Sequence, residues 1–327
     1  MAQRVLVLSR TPIGRRLSSP GIRCLNLARV LRSALPEAEV VLASPPLPPD
    51  EMVPDVEVTT YTPETALRLA SDFDVVISMS FPLSVALASP LRSRPLLVLD
   101  FFSEFYVEWL EMSRDLYRGR HRRLWAAASA RYANLQLQVA DYVLCANARQ
   151  RDAYVGVLGA LGRLTPAVYD ADPSLRRLID VAPHGLRPEP LPSPTKLTAG
   201  LIPGIEAGDR LLLWLGGILH WYDPVTLLRA LARVREQHPE AKLLFLGSSY
   251  PGGSELGQGV RYHEAVAEAQ RLGLLNTGVF FHDAWLPHEA VVEYLRAAFL
   301  GVTTYFTNAE TRFAHRTRFM DYIWARL

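Results

Sequence analysis

Glu310, Arg312, Arg316 and Arg318 crowd into the stretch 310–327, ETRFAHRTRFMDYIWARL. Arginines at that density, beside Glu310, are suited to neutralising an anion, and a phosphate-bearing ligand is the natural one. The stretch follows an apolar run, residues 299–304, and a short polar loop. Its first turns should therefore sit at the carboxyl edge of a sheet, where open α/β sheets bind ligands. Read as one helix, it turns Phe313, Met320, Ile323 and Trp324 toward a core and presents Arg312, Arg316 and Asp321 elsewhere. The amino end of such a helix attracts anions through its N–H groups and dipole, and nearby arginines add to that pull. The alternative for the same residues is a surface helix with solvated arginines.

Other residues could serve the same chemistry. Gly216-Gly217 ends an apolar strand, and glycines let backbone approach a phosphate closely. His220, Trp221 and Asp223 share the loop that follows, and Asp223 with Pro224 supplies an N-cap and a first-turn proline. Trp221, coming after a Gly-Gly break, is expected to be less buried than Trp214 within the strand. Trp285 lies in a loop after an apolar strand, where its ring could stack on a base or pack between helices. No metal-ligand spacing emerges from the eight histidines. The Asp-x-Asp run Asp170-Ala171-Asp172 falls in what reads as a loop, away from any glycine-rich strand end, so no metal and no resident cofactor is expected.

These residues need a scaffold, and the chain is long enough for one with two cores. Its 327 residues suit two ordinary domains, and a net charge of +2 gives no sign of wholesale nucleic-acid binding. The two cysteines, Cys24 and Cys145, read as small core residues, which fits a reducing cytoplasm. The amino terminus carries no apolar run long enough for a signal peptide, and the longest apolar run, 211–219, is too short to span a bilayer. In the first half, short apolar runs at 4–9, 39–43, 56–60, 74–79, 95–100, 141–147 and 179–182 alternate with helical patterns at 22–35, 64–70, 83–88, 124–138 and 150–161. Continuous apolar strands between helices indicate a parallel sheet covered on both faces. A basic cluster at 114–123 could approach acidic lipid headgroups or serve as a solvated helix face. The proline-rich segment 187–208 reads as a linker, and 209–327 restarts the alternation with strands at 210–215, 242–246 and 279–281. Two Rossmann-like, doubly wound α/β domains, 1–186 and 209–327, are the expected architecture.

The chain resembles glycosyltransferase family 4 in several runs: Pro20-Gly21-Ile22-Arg23 before a helix, Val181-Ala182-Pro183-His184-Gly185-Leu186, the Gly216-Gly217 strand end, Phe280 through Pro287, and the closing Ala325-Arg326-Leu327. The resemblance implies a GT-B fold, a nucleotide-diphosphate sugar as co-substrate held mainly by the second domain, and an acceptor held by the first. It implies a retaining, metal-independent transfer. The cysteine usage points to a cytoplasmic setting and the basic cluster to contact with the inner face of a membrane, and the acceptor is left open among a saccharide, a lipid-linked glycan and a small molecule. The first-domain cleft positions are Gly21, Arg23, Asp100 and Glu104.

Several positions depart from that family's pattern. Its diphosphate-clamping Arg and Lys fall here at Gly217 and Asp223, so the charge would have to come from Arg312, Arg316 or Arg318. Its paired glutamates fall at Phe313 and Asp321, which leaves Glu310 as the substitute group touching the donor sugar. The chain also stops at Leu327, where the family's pattern would continue, so the second domain is expected to be incomplete. A truncated or inactive relative that only binds a nucleotide or a partner is the alternative. A nicotinamide enzyme would need a G-x-G-x-x-G turn, and the first loop offers only Gly14 and Gly21.

Overall fold

The computed structural model describes residues 3–48, 57–88, 94–187, 189–191, 203–206, 208–248 and 259–327. In chain order the first elements are β1 (Arg4–Leu8), α1 (Ser19–Ala34), β2 (Glu39–Ser44), β3 (Thr59–Thr60), α2 (Ala66–Ser71), β4 (Val75–Ser78), α3 (Leu83–Leu87) and β5 (Leu96–Asp100). There follow α4 (Phe105–Leu116), α5 (Gly119–Val139), β6 (Tyr142–Cys145), α6 (Ala148–Ala160), α7 (Pro166–Ala171) and β7 (Ile179–Val181). The remainder comprises β8 (Arg210–Leu215), α8 (Pro224–Arg235), β9 (Ala241–Leu246), α9 (Val260–Arg271), β10 (Val279–His282), α10 (His288–Ala297), β11 (Leu300–Gly301), α11 (Ala309–Phe313) and α12 (Arg318–Ala325). Of the predicted linker, residues 188, 192–202 and 207 lie outside the described residues, as do Pro49 of the proline-rich loop and Val56 of the third predicted strand.

The chain forms two compact units. The first gathers Met1–Trp109, Arg123–His184 and Phe313–His315, and the second gathers Leu110–Arg122, Gly185–Arg312 and Arg316–Leu327. In the first unit all seven strands run parallel in the order β3-β2-β1-β4-β5-β6-β7. Side-chain alternation along the strands supplies one core on each face. Leu6, Leu8, Val76, Leu97 and Leu99 point to one, and Val5, Val7, Val40, Leu42 and Ile77 to the other. The second unit repeats the plan with a parallel sheet β10-β9-β8-β11. Trp214, Leu243, Phe245 and Val279 line one of its cores, and Leu211, Leu213, Leu244, Leu246 and Phe280 the other. Strand order reverses between β1 and β4 in the first sheet and between β8 and β11 in the second. At such a switch point the flanking loops part and leave room for a ligand.

Several sequence expectations need correction. The 310–327 stretch is two helices, α11 and α12, with residues 314–317 between them. Its buried face carries Arg318 and Tyr322, whereas Ile323 is exposed. Trp324 packs against the core as expected, but hydrophobicity alone missed Tyr322, which is drawn in by hydrogen bonding as well as by burial. Its phenol donates to Leu213 O at 2.9 Å and accepts from Leu215 N–H at 2.9 Å. The final strand is only Leu300–Gly301, and Phe299, expected within it, is exposed. Asp170 lies in α7, capped by Thr165, rather than in a loop.

Tyr322 also dictates a glycine. A Cβ at Gly301 would lie 2.5 Å from Tyr322 Cγ. The ring is buried and held at its hydroxyl, so it cannot step aside cheaply. Gly301→Ala is expected to destabilise the second unit by about 1–3 kcal/mol, the usual cost of overpacking, as read from a urea unfolding midpoint. A midpoint equal to wild type would show that the Tyr322 docking is loose.

Candidate functional site

The richest cluster of ligand-suited groups lies at the carboxyl edge of the second sheet. β8 exits through Gly216 at φ 87° and β9 through Gly247 at φ 71°, left-handed conformations that glycine adopts without strain. The exits adjoin: a Cβ on Gly247 would stand 4.0 Å from Gly216 Cα and 3.7 Å from the Trp285 ring. Gly216 N–H donates to Leu246 O, and Gly247 N–H to His282 O, each at 2.8 Å, so the loops leave as continuations of the ladder.

Arg318 enters this edge from the start of α12. Its Nη2 donates to Gly217 O at 3.1 Å and its Nη1 lies 3.5 Å from Thr303 Oγ1. Gly217 follows β8 and Thr303 follows β11, so the guanidinium straddles the switch point of the sheet. Its plane is supported by the rings of Tyr222, 4.3 Å from the guanidinium carbon, and Trp214, at 5.0 Å. A guanidinium carries five N–H donors, and these two contacts use only part of that set.

Arg316 is committed differently. Its Nη2 donates to Glu310 Oε2 at 2.5 Å, and its guanidinium lies among the rings of Trp221, Tyr222 and Tyr305, at 5.2, 5.5 and 5.2 Å. Glu310 is 1% exposed, and its second oxygen, Oε1, has no hydrogen-bond partner among the described residues. A buried carboxylate oxygen without a donor is costly, and a ligand hydroxyl would relieve that cost.

The other positions singled out in the sequence fall into three groups. Gly216, Gly217 and Trp285 join the strand-exit cluster. His220, Trp221, Asp223 and Asp321 already have structural partners. His220 Nδ1 sits 2.7 Å from Asp115 Oδ2, and Trp221 is core at 5% exposure, contrary to the expectation that the Gly-Gly break would leave it less buried. Asp223 caps α8 by accepting from Thr226 N–H at 3.1 Å, as its spacing to Pro224 predicted. Asp321 pairs with Arg187 at 3.3 Å, and the Arg187 guanidinium stacks on Trp324 at 4.4 Å. Burial pushes the Asp321 carboxyl up, with Arg187 opposing. Arg312 lies on the exposed side of α11.

In the first unit, Arg23 and Asp100 form a buried fork. Nε and Nη2 each lie 2.6 Å from a carboxylate oxygen, and the two side chains are 4% and 2% exposed. Arg23 Nη2 also donates to Ala182 O at 2.9 Å, tying α1 to the ends of β5 and β7. With both oxygens occupied, Asp100 is structural, and burial pushes its carboxyl up while Arg23 opposes. Gly21 is a packing position: a Cβ there would meet Leu17 at 3.3 Å and Pro12 O at 3.5 Å. Glu104, also buried, accepts from Gln150 Nε2 at 3.3 Å.

Sequence reasoning missed the neighbours of the strand exits. Ser248 Oγ donates to Asp283 Oδ1 at 2.5 Å and Tyr262 Oη to Asp283 Oδ2 at 3.0 Å, which fastens the exits of β9 and β10 together. The signal was present, because Gly247-Ser248 closes an apolar strand just as Gly216-Gly217 does.

No protein-family model and no curated protein matches the chain. Solved structures do. The trehalose-6-phosphate synthase OtsA superposes with a TM-score of 0.63 at 14% identity, over 99% of this chain and 82% of that one. An α,α-trehalose 6-phosphate synthase from Burkholderia multivorans gives 0.60 at 12% identity, over 99% and 82%. HepE from Anabaena, solved in complex with UDP and glucose, gives 0.59 at 16% identity, over 94% and 76%. At these identities the likeness is one of fold, and the fold of this chain is GT-B, built from two Rossmann-like α/β units.

Proposed function

We propose that the chain is a glycosyltransferase that moves a sugar from a nucleotide diphosphate to an acceptor. The observation that carries this reading is Arg318, held across the switch point of the second sheet beside two left-handed glycine exits. Charge builds on the leaving diphosphate as the glycosidic bond breaks, and fixed N–H donors already aimed there lower the barrier. Arg318 and the backbone N–H of Gly217 supply those donors, without the arginine and lysine that the resembling family uses. Glu310 Oε1 accepts from a hydroxyl of the donor sugar, and Arg316 orients that carboxylate. Trp285, beside Gly247, covers the base in this reading.

HepE, similar in fold, is described with UDP and glucose, which makes a uridine nucleotide the first donor to try. By family resemblance the transfer is retaining and metal-independent. Donor binding falls to 209–327 and acceptor binding to 1–186. The chain works in the cytoplasm, where the exposed Arg118, Arg120 and Arg123 around the α4–α5 turn would meet acidic headgroups at a membrane surface. Among the described residues no helix is long and apolar enough to cross a membrane.

A thermal-shift panel with UDP, GDP, dTDP, ADP and NAD tests the reading. A ligand that binds only the folded state adds about 2.7 kcal/mol of stability at a hundredfold excess over its Kd. A shift with one nucleoside diphosphate is expected. A shift with NAD alone, or with none of the five, would overturn the assignment.

A further inference from the structure

The amino-terminal segment is electrostatically one-sided. From Gln3 to Pro36 the sequence contains no Asp or Glu, yet it carries Arg4, Arg10, Arg15, Arg16, Arg23, Arg29 and Arg32. Arg4 pairs with Glu39 and Arg23 with Asp100, both within the first unit. Arg10, Arg15 and Arg16 are exposed, and all three belong to the loop that leaves the carboxyl end of β1. That loop borders the switch point between β1 and β4, the ligand position of an open parallel sheet.

The surroundings of the loop are polar and ordered. Ser9 Oγ donates to Thr11 O at 2.6 Å, and Ser18 Oγ to Thr11 Oγ1 at 3.3 Å. Tyr61 Oη donates to Ser9 O at 2.7 Å, and across the switch point Ser78 Oγ donates to Leu8 O at 2.8 Å. Ser18 is the N-cap of α1 but makes no side-chain cap bond, so the positive end of that 16-residue helix adds to the same field. Of the carboxylates at this edge of the sheet, Asp100 at the end of β5 is paired with Arg23, Glu104 follows it and accepts from Gln150, and Glu64 lies in the turn after β3, which is separated from β1 by β2. Arginine forks match phosphate oxygens in geometry as well as in charge.

We propose that the first-unit ligand carries a phosphate group, held by Arg10, Arg15 and Arg16 at the exit of β1. This rests on the transferase reading and sharpens it: the acceptor is a phosphorylated sugar or polyol, or a phosphate-bearing lipid, and not a neutral saccharide. The shared requirement is the phosphate, and the two sources differ only in whether it is presented in solution or at a surface.

The test uses the full chain saturated with UDP, so that the donor site is filled. Inorganic phosphate, glucose 6-phosphate and glucose are titrated by calorimetry, and binding to vesicles of phosphatidylglycerol or of phosphatidylcholine is measured by co-sedimentation. Each is repeated with Arg15→Gln/Arg16→Gln, exposed positions whose change should leave the fold intact. Glucose 6-phosphate is expected to bind where glucose does not, with affinity falling roughly tenfold or more in the variant. If the phosphate belongs to a lipid, phosphatidylglycerol vesicles are retained instead and are released by the same variant. Failure of every phosphate-bearing probe, or equal affinities in wild type and variant, would overturn the inference. UDP affinity is measured in both proteins. If UDP binds normally while the phosphate probes fail, only this inference falls; if UDP itself fails to bind, the donor reading falls with it.

Discussion

Arg318→Met is expected to weaken binding of the nucleoside diphosphate by about 10- to 100-fold while changing affinity for the nucleoside by less than about twofold. Methionine keeps an unbranched stem against Tyr222 and Trp214, so the packing that holds α12 survives and the forked charge is what disappears. Hydrogen bonds to charged groups contribute roughly 1.5–3 kcal/mol each, which sets the range. Calorimetric titration of UDP and uridine into both proteins separates the phosphate contribution from that of the base. Arg318→Lys should recover only part of the loss, because an ammonium cannot bridge Gly217 O and Thr303 in one plane. Equal losses for UDP and uridine would mean that the substitution disturbed the site as a whole and that Arg318 does not face the diphosphate.

The other large effect is on stability. Asp100→Asn removes the charge that compensates Arg23 and leaves a guanidinium buried against Ala182 O and the Phe102 ring, 5.2 Å away. Breaking one side of a buried ion pair costs about 3–5 kcal/mol, because the remaining charge has neither water nor a partner. The expected readout is a lowered urea midpoint. The double change Arg23→Met/Asp100→Leu should be far less damaging than either single change, since a well-packed apolar pair avoids desolvation altogether. Additive losses would show that the pair acts through packing and not through charge.

Most of the architecture was legible in the sequence because parallel sheets covered on both faces write themselves as continuous apolar runs. β1, β4, β8 and β9 fall where Val- and Leu-rich runs placed them, and the α8 cap was visible as Asp223-Pro224. Elements held by something other than their own pattern were not legible. β3 pairs over only two residues, and β11 likewise. α11 and α12 hid as one helix because residues 313–318 carry no proline or glycine to mark the break. At the candidate site, the strand-exit glycines could be read directly, whereas the identity of the cation could not. Arg312, Arg316 and Arg318 look alike in sequence, and only the carbonyl of Gly217, 101 positions away in the chain, tells them apart. Arg23 and Asp100 looked like open polar residues because nothing local announces a partner 77 positions distant.

Tyr322 gives the protein a built-in probe of its own opening. β11 is too short to pair with the end of β8, and the Leu215 amide proton is held there by a side chain from α12. That proton can exchange with solvent only when α12 lifts off. Its exchange rate therefore measures the free energy of a partial unfolding confined to one helix. Arg318 rides on the same helix, so every opening also dismantles the anion site, and the apparent ligand affinity scales with the docked fraction. One slowly exchanging amide links the local stability of α12 to occupancy of the site.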